Sequence, residues 1–104
     1  MSTFEARSGL ISRKITTVTG SYTATVSDSV LYVTGTGTIT LPSASLDNLE
    51  MEIEVYTYNA TATVVAGGTD VIFGSGSAVL ASVTVGIYSY RKFFLIEEGK
   101  WAAA

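Results

Sequence analysis

The chain has 104 residues, the length of one small domain or of a small domain with an arm, and only 14% of them are charged, where an ordinary domain carries about 25%. Its net charge is −3, and four of its six basic residues fall in two pairs, Arg13-Lys14 and Arg91-Lys92, so there is no stripe for a phosphate backbone and sequence-independent nucleic-acid binding is excluded. With no cysteine and no histidine it has no disulfide, no Cys/His zinc site and no imidazole for a triad or a general base.

So few charges do not cover the surface of a small domain, and a monomer of this size buries only about two-thirds of its unfolded surface. The composition therefore predicts that part of the surface meets other protein, first of all copies of itself. The opening MSTFEARSGLISRKI lacks the apolar centre of a secretory signal, and no run reaches the roughly 18 apolar residues of a membrane helix. Synthesis in the cytosol without membrane insertion is expected. Residues 1–14 hold three of the six basic residues and no sustained period, and read as an arm before a β-rich body over 15–104.

From Lys14 onward Thr, Val, Ile, Tyr and Phe dominate, cut into short runs by Gly, Ser, Asn and Asp. RKITTVT (13–19) is a first strand. YTATV (22–26) alternates, with Tyr22, Ala24 and Val26 on one face. Asp28, between two serines, is a turn former that hydrogen-bonds nearby backbone. VLYVT (30–34) is apolar on both faces, as a strand buried on two sides would be. Gly35 to Gly37 make a turn, TITL (38–41) points Ile39 and Leu41 inward, and Pro42 ends the strand because it has no N–H for a ladder. SASLDNLE (43–50) is a loop or a single helical turn.

MEIEVYTY (51–58) is the clearest strand, with Met51, Ile53 and Val55 facing one way and Glu52, Glu54 and Tyr56 the other. TATVVA (61–66), VIF (71–73), AVLAS (78–82) and VTVGIYSY (83–90) follow, the last with Gly86 at a candidate bulge. KFFLIEE (92–98) is apolar on both sides, so Phe94 and Ile96 join the candidate core or interface, and a Gly99 turn leads to Trp101. Short strands at this spacing predict an all-β module: a compact antiparallel sandwich, a barrel or a β-prism. VTG at 18–20 recurs at 33–35, but its surroundings do not, so no repeat protein is expected.

Carboxylates are the only catalytic candidates. Glu50, Glu52 and Glu54 share one face of a strand, where neighbours stand roughly 7 Å apart. Calcium sites draw on bent loops, and a straight strand splays its ligands, so this row reads as a solvated outer face. Gly67-Gly68 and Gly74-Ser75-Gly76 open no helix and precede no lysine, so neither is a phosphate loop. Tyr88, Tyr90 and Arg91 make a candidate glycan contact, against the plainer reading of interface aromatics. No enzymatic activity, metal or cofactor is expected.

The order of motifs carries a resemblance. SDSVLYV (27–33), GTGTITLP (35–42), the alternating MEIEVYTY, Gly68-Thr69-Asp70-Val71-Ile72-Phe73-Gly74 and the closing GKW (99–101) together resemble the small β-rich modules of bacteriophage fibre and head-decoration proteins, over about residues 20–101. The resemblance implies a homotrimer with an apolar axis. Ile39, Leu41, Met51, Ile53, Val55, Phe94, Ile96 and Trp101 are then its core or oligomer interface. It further implies a virion protein, most simply a head decoration, cement or head-fibre protein on the outer surface. Phe4, Arg7, Leu10, Ile11 and Arg13 of the arm would dock on the major capsid protein or another virion protein. The alternative is a tail-fibre or receptor-binding tip that contacts bacterial surface glycans.

Overall fold

The computed structural model describes residues 14–45, 47, 51–74 and 79–104. The arm residues Phe4, Arg7, Leu10, Ile11 and Arg13, and Glu50, lie outside the described residues. The strands are β1 (Ile15–Val18), β2 (Tyr22–Thr23), β3 (Val30–Val33), β4 (Gly37–Thr40), β5 (Glu52–Thr57), β6 (Ala62–Val65), β7 (Val71–Phe73), β8 (Val79–Leu80), β9 (Ser82–Val85), β10 (Tyr90–Glu97) and β11 (Lys100–Ala103).

They form a seven-stranded sheet in the order β1-β3-β5-β10-β11-β7-β8 and a four-stranded sheet in the order β2-β4-β6-β9. The chain switches sheet at every step from β1 to β6. It thereby lays down three stacked layers, β1–β2, β3–β4 and β5–β6, whose strands pair in parallel with the layer before. β9 and β10 then make a fourth layer that runs the other way, antiparallel to β6 and β5. The seven-stranded sheet continues through β11, antiparallel to β10, then β7, parallel to β11, and β8, antiparallel to β7. The expected all-β module is present, but its sheets are mixed rather than antiparallel. Parallel pairing arises because each strand pairs with the same strand of the previous layer, not with its sequence neighbour.

The recurrence of VTG has a place in this stack. Val18 and Val33 are register partners, so the two tripeptides lie one above the other. A Cβ on Gly35 would overlap the carbonyl oxygen of Thr19, and one on Gly37 would overlap the backbone of Gly20. These glycines allow one corner to rest on the corner beneath it. The layers differ in length, with Ile15 opposite Val30 but Val30 opposite Glu54, so no regular period survives in the sequence.

The inner faces meet in one core. Leu31, Val33, Ile53, Val55, Ile72, Phe93, Leu95 and Trp101 come from the large sheet and Ile39, Ala62, Val64, Val83 and Val85 from the small one. Burying such side chains stabilises by about 1.5–3 kcal/mol each, which is what holds strands this short together. Leu41 joins them as expected, and Met51 packs against the cluster half-buried. Three expectations change. YTATV stops after Thr23 as a strand; Val26 is exposed, because the Asp28 carboxylate takes the N–H of Thr25 and turns the chain there. VLYV is buried on one side only, with Tyr32 exposed. Gly86 is no strand bulge but part of the corner between β9 and β10.

Three of the motifs that carried the resemblance, GTGTITLP, the Gly68–Gly74 run and GKW, converge on one junction between the sheets. The indole N–H of Trp101 donates to the Pro42 carbonyl at 3.3 Å, and the Ala44 N–H donates to the Asp70 carboxylate at 2.8 Å. The Gly99 N–H donates to the Ala44 carbonyl at 2.8 Å, and the Val71 N–H to the Gly99 carbonyl at 3.0 Å. Ile72 and Trp101 are register partners. Pro42, Asp70, Gly99 and Trp101 are thus structural staples, and the carboxylate among them is occupied with backbone.

Candidate functional site

The inner face of the large sheet is sealed by the small one. Among the described residues nothing covers its outer face, and that face is where side chains remain available. Two regions stand apart on it. Toward β7 and β8 it carries Phe94, Phe73 and Val79, with Ile96 exposed at the bulge between Leu95 and Glu97. Of the eight residues expected in the core or interface, Phe94 and Ile96 are the two that point away from the core.

Toward β3 the face is tyrosine. Tyr32, Tyr56 and Tyr90 are register partners on β3, β5 and β10, so three rings stand side by side across three strands. The Tyr56 and Tyr90 rings are 4.6 Å apart between centroids. Tyr58 lies 6.4 Å from Tyr32, and Tyr88 meets Tyr58 edge-on at 5.5 Å. The chain has six tyrosines; Tyr22 is tied to Asp28, and the other five form this patch. All five are exposed, Tyr88 the most at 62%.

The corner beneath the patch is strained. Tyr88 (φ 53°) and Asn59 (φ 55°) are the non-glycine residues of the described chain in the left-handed region. For a residue with a Cβ this costs about 1–2 kcal/mol. The two side chains meet, the Tyr88 hydroxyl donating to Asn59 Oδ1 at 3.4 Å. Thr57 braces the same corner: its hydroxyl donates to the Gly86 carbonyl at 2.6 Å and accepts the Ser89 N–H at 2.9 Å. A bulky aromatic ring is therefore held on the surface where glycine would sit without strain.

Tyr88 and Tyr90, expected together, are together. Arg91 is not with them: it pairs with core-facing Val55 and lies half-buried on the other side of β10. Sequence reasoning missed Tyr32, Tyr56 and Tyr58. For Tyr56 and Tyr58 the available signal was their alternation with Glu52 and Glu54 along one run; Tyr32, on β3, carried no such signal.

Glu52 is exposed as expected and lies 3.7 Å from Lys92. Glu54 departs from the expected solvated row, for it is only 8% exposed. It sits at a groove of about 540 Å³ lined by Ile15, Val30, Tyr32, Glu54 and Tyr56, and its Oε1 lies 3.5 Å from the Tyr56 hydroxyl. Neighbouring strands crowd it: Val30 and Lys92 are its register partners.

Asp28 is the other buried acid. It accepts from the Thr25 N–H at 2.8 Å, the Tyr22 hydroxyl at 2.8 Å and the Thr16 hydroxyl at 2.9 Å, with the Lys14 ammonium at 3.8 Å. Burial alone would push its carboxyl up, but these donors and the Lys14 charge outweigh it and hold the carboxyl below its ordinary value. The bond to Asp28, then burial, push the Tyr22 phenol up. This network ties β1, β2 and the turn before β3 together, and it extends the expected role of Asp28 as a turn former.

Among the described residues no group of three or more Asp or Glu side chains is placed to hold a metal ion, and no helix is long and apolar enough to cross a membrane. No protein-family model, no curated protein and no solved structure matches the chain.

Proposed function

We propose that the chain is a structural protein of a phage virion, a head decoration, cement or head-fibre protein, that assembles with copies of itself through the outer face of its seven-stranded sheet. One observation carries this reading. Phe94, Phe73, Ile96 and Val79 stand on or beside a sheet face that no other layer of the described residues covers, in a chain with few charges to solvate it. The motif order resembling phage fibre and decoration modules supports the virion setting, a homotrimer and docking on the capsid through the N-terminal arm. In this reading the protein works by binding and assembly and performs no catalysis. Light scattering on the purified protein, alone and with particles lacking it, tests the proposal. A trimer that attaches stoichiometrically to heads supports it. A monomer, or a trimer that ignores heads, overturns it.

The tyrosine patch favours a second reading, a receptor-binding tip for bacterial surface glycans. Exposed aromatic rings beside carboxylates and an amide offer stacking faces and hydrogen bonds at once. A trimer that ignores heads but binds host cells, with binding lost in Tyr88→Ala and Tyr90→Ala, would replace the first reading with this one.

A further inference from the structure

We propose that the free edge of β1 pairs with the same edge of a second copy: two β1 strands lie antiparallel about a two-fold axis and join two large sheets into one. β1 and β2 each begin a sheet, so both sheets end at the first layer, and among the described residues no strand pairs beyond them. The corner shows the same opening. Gly35 rests against Thr19 and Gly37 against Gly20, yet a Cβ on Gly20 itself would meet nothing within 4 Å among the described residues. Stacked layers need a cap at each end. The far end has one: β9 and β10 run against the stack, and the large sheet continues past them through β11, β7 and β8. The near end presents a bare edge.

The ladder tells which groups face that edge. The Lys14 and Val18 carbonyls accept the Val30 and Thr34 N–H groups, each at 2.9 Å, so they face β3. Alternate residues of a parallel strand bond the same neighbour. Thr16 therefore faces β3 too, and the N–H and C=O of Ile15 and Thr17 point outward. Edges are ordinarily blunted by proline, charge, a bulge or extreme shortness. β2 and β8 are short, at two residues each. β1 has none of these devices: it is Ile-Thr-Thr-Val, all β-branched, with Ile15 67% exposed. Lys14, just before it, is drawn to the Asp28 carboxylate at 3.8 Å.

A row of outward backbone donors and acceptors calls for an extended polypeptide strand. Register then selects a second copy. An antiparallel β1 centred on Thr16 sets Ile15 opposite Thr17 of the partner subunit, and Thr17 opposite the partner's Ile15. Each such pair exchanges two hydrogen bonds, so every outward N–H and C=O of Ile15 and Thr17 finds a partner. Thr16 meets Thr16 of the partner subunit, a favourable cross-strand pair. Lys14 falls opposite Val18 of the partner subunit, so no like charges are opposed. A four-residue edge is a small contact by itself, and it gains strength where an assembly presents several edges at once. To that extent it rests on the self-assembly reading, and it leaves the outer face of the sheet free.

The test exploits a chain without cysteine. Thr16→Cys places one thiol per chain at the two-fold axis, where the paired Cα atoms would stand about 4.5 Å apart, within disulfide reach. With an added oxidant, this variant should form covalent dimers at least tenfold faster than Ile87→Cys, on the exposed corner between β9 and β10. Thr17→Pro removes an outward N–H and leaves the ladder to β3 intact. Added to Thr16→Cys, it should slow the cross-link at least tenfold while urea unfolding stays cooperative. Should that variant not fold, Ile15→Lys, a charge on the edge, takes its place. Linking no faster than the control, or linking untouched by the edge variant, overturns the pairing. So does slow amide exchange at Ile15 and Thr17 in dilute, monomeric protein, since the edge would then be covered without a second copy. Light scattering on Phe94→Lys separates this contact from the outer face. If the unaltered chain is an oligomer that Phe94→Lys breaks, and Thr16→Cys does not link, the edge fails alone. If Thr16→Cys links and Phe94→Lys leaves the mass unchanged, the edge stands and the outer face fails.

Discussion

The indole nitrogen of Trp101 donates to the backbone carbonyl of Pro42, 59 positions earlier, at 3.3 Å in a buried setting. This bond joins the segment just after β4 of the small sheet to β11, an inner strand of the large one. Trp101→Phe keeps most of the volume and leaves the carbonyl without its donor, and should cost about 1–3 kcal/mol. Trp101→Ala also opens a cavity and should cost about 3–5 kcal/mol. Urea unfolding of both variants checks the ranking. Equal losses would mean that the hydrogen bond, and not the packing of the ring, carries this position.

Thr57 makes the corner between β5 and β6 fit the corner between β9 and β10. Thr57→Val preserves shape and removes a hydroxyl that donates to Gly86 and accepts from Ser89. A loss of about 1–3 kcal/mol is expected, with Thr57→Ser close to the original. Hydrogen exchange at the Ser89 amide is the more direct readout and should speed up in the Val variant alone.

Gly35 and Gly20 occupy the same corner in successive layers, and their environments differ. Gly35→Ala drives a Cβ into the Thr19 carbonyl and should be severely destabilising or prevent folding. A Cβ on Gly20 would meet nothing within 4 Å, so Gly20→Ala should change stability by less than about 1 kcal/mol. Thermal melts of the two variants test the layered arrangement, since an unstacked fold would give them similar values.

Tyr88 stands in the left-handed region, so its replacement by glycine relieves strain while removing a ring contact worth about 0.5–1.5 kcal/mol. The two effects nearly cancel, and Tyr88→Gly should leave stability within about 1 kcal/mol of the original. Tyr88→Val keeps the strain, adds a branched Cβ and should be the worse variant. A glycine variant less stable than the valine one would show that the left-handed backbone does not govern this position, and a glycine variant well below the original would show that the ring contact outweighs the strain.

The pH dependence follows from Asp28 and Tyr22. The folded Asp28 carboxyl lies below its ordinary value, so its contribution is present above the unfolded carboxyl pKa, near 3.9. It fades as pH falls below that point and is gone below the folded value. The folded Tyr22 phenol lies above its ordinary value, so its contribution is full below about 10 and is lost as pH climbs through the folded pKa. Stability should be flat in the neutral range and fall at both ends. Asp28→Asn should flatten the acid limb, and an unchanged acid limb in that variant would place the sensitivity elsewhere.

Much of this fold was legible in local pattern. Ile53 and Val55 alternate against Glu52 and Glu54 over a whole strand, and Ile39 and Leu41 precede a proline that cannot extend a ladder. Alternation reads faces, and both pairs are in the core. It does not read partners. The parallel pairing of β1, β3 and β5 depends on layers of unequal length, which erase the period that VTG hints at. β11 escaped notice because Ala102 and Ala103 have little strand preference of their own and are strands only by lying between β10 and β7. The tyrosine patch was half visible, as Tyr88 and Tyr90, since Tyr32, Tyr56 and Tyr58 reach it from layers distant in sequence. Arg91 looked adjacent to them and was not, because successive residues of a strand face opposite ways.

The position of β11 bears on how the molecule comes into being. Residues 100–103 are made after every other described strand, yet they sit between β10 and β7 and alone join the β7–β8 pair to the rest of the large sheet. While a ribosome is still synthesising the chain, that pair has no neighbouring strand in the large sheet and the Pro42 carbonyl has no indole to meet. The nascent body therefore remains unfinished until β11 has cleared the exit tunnel, and a product cut short before Lys100 lacks the piece that closes it.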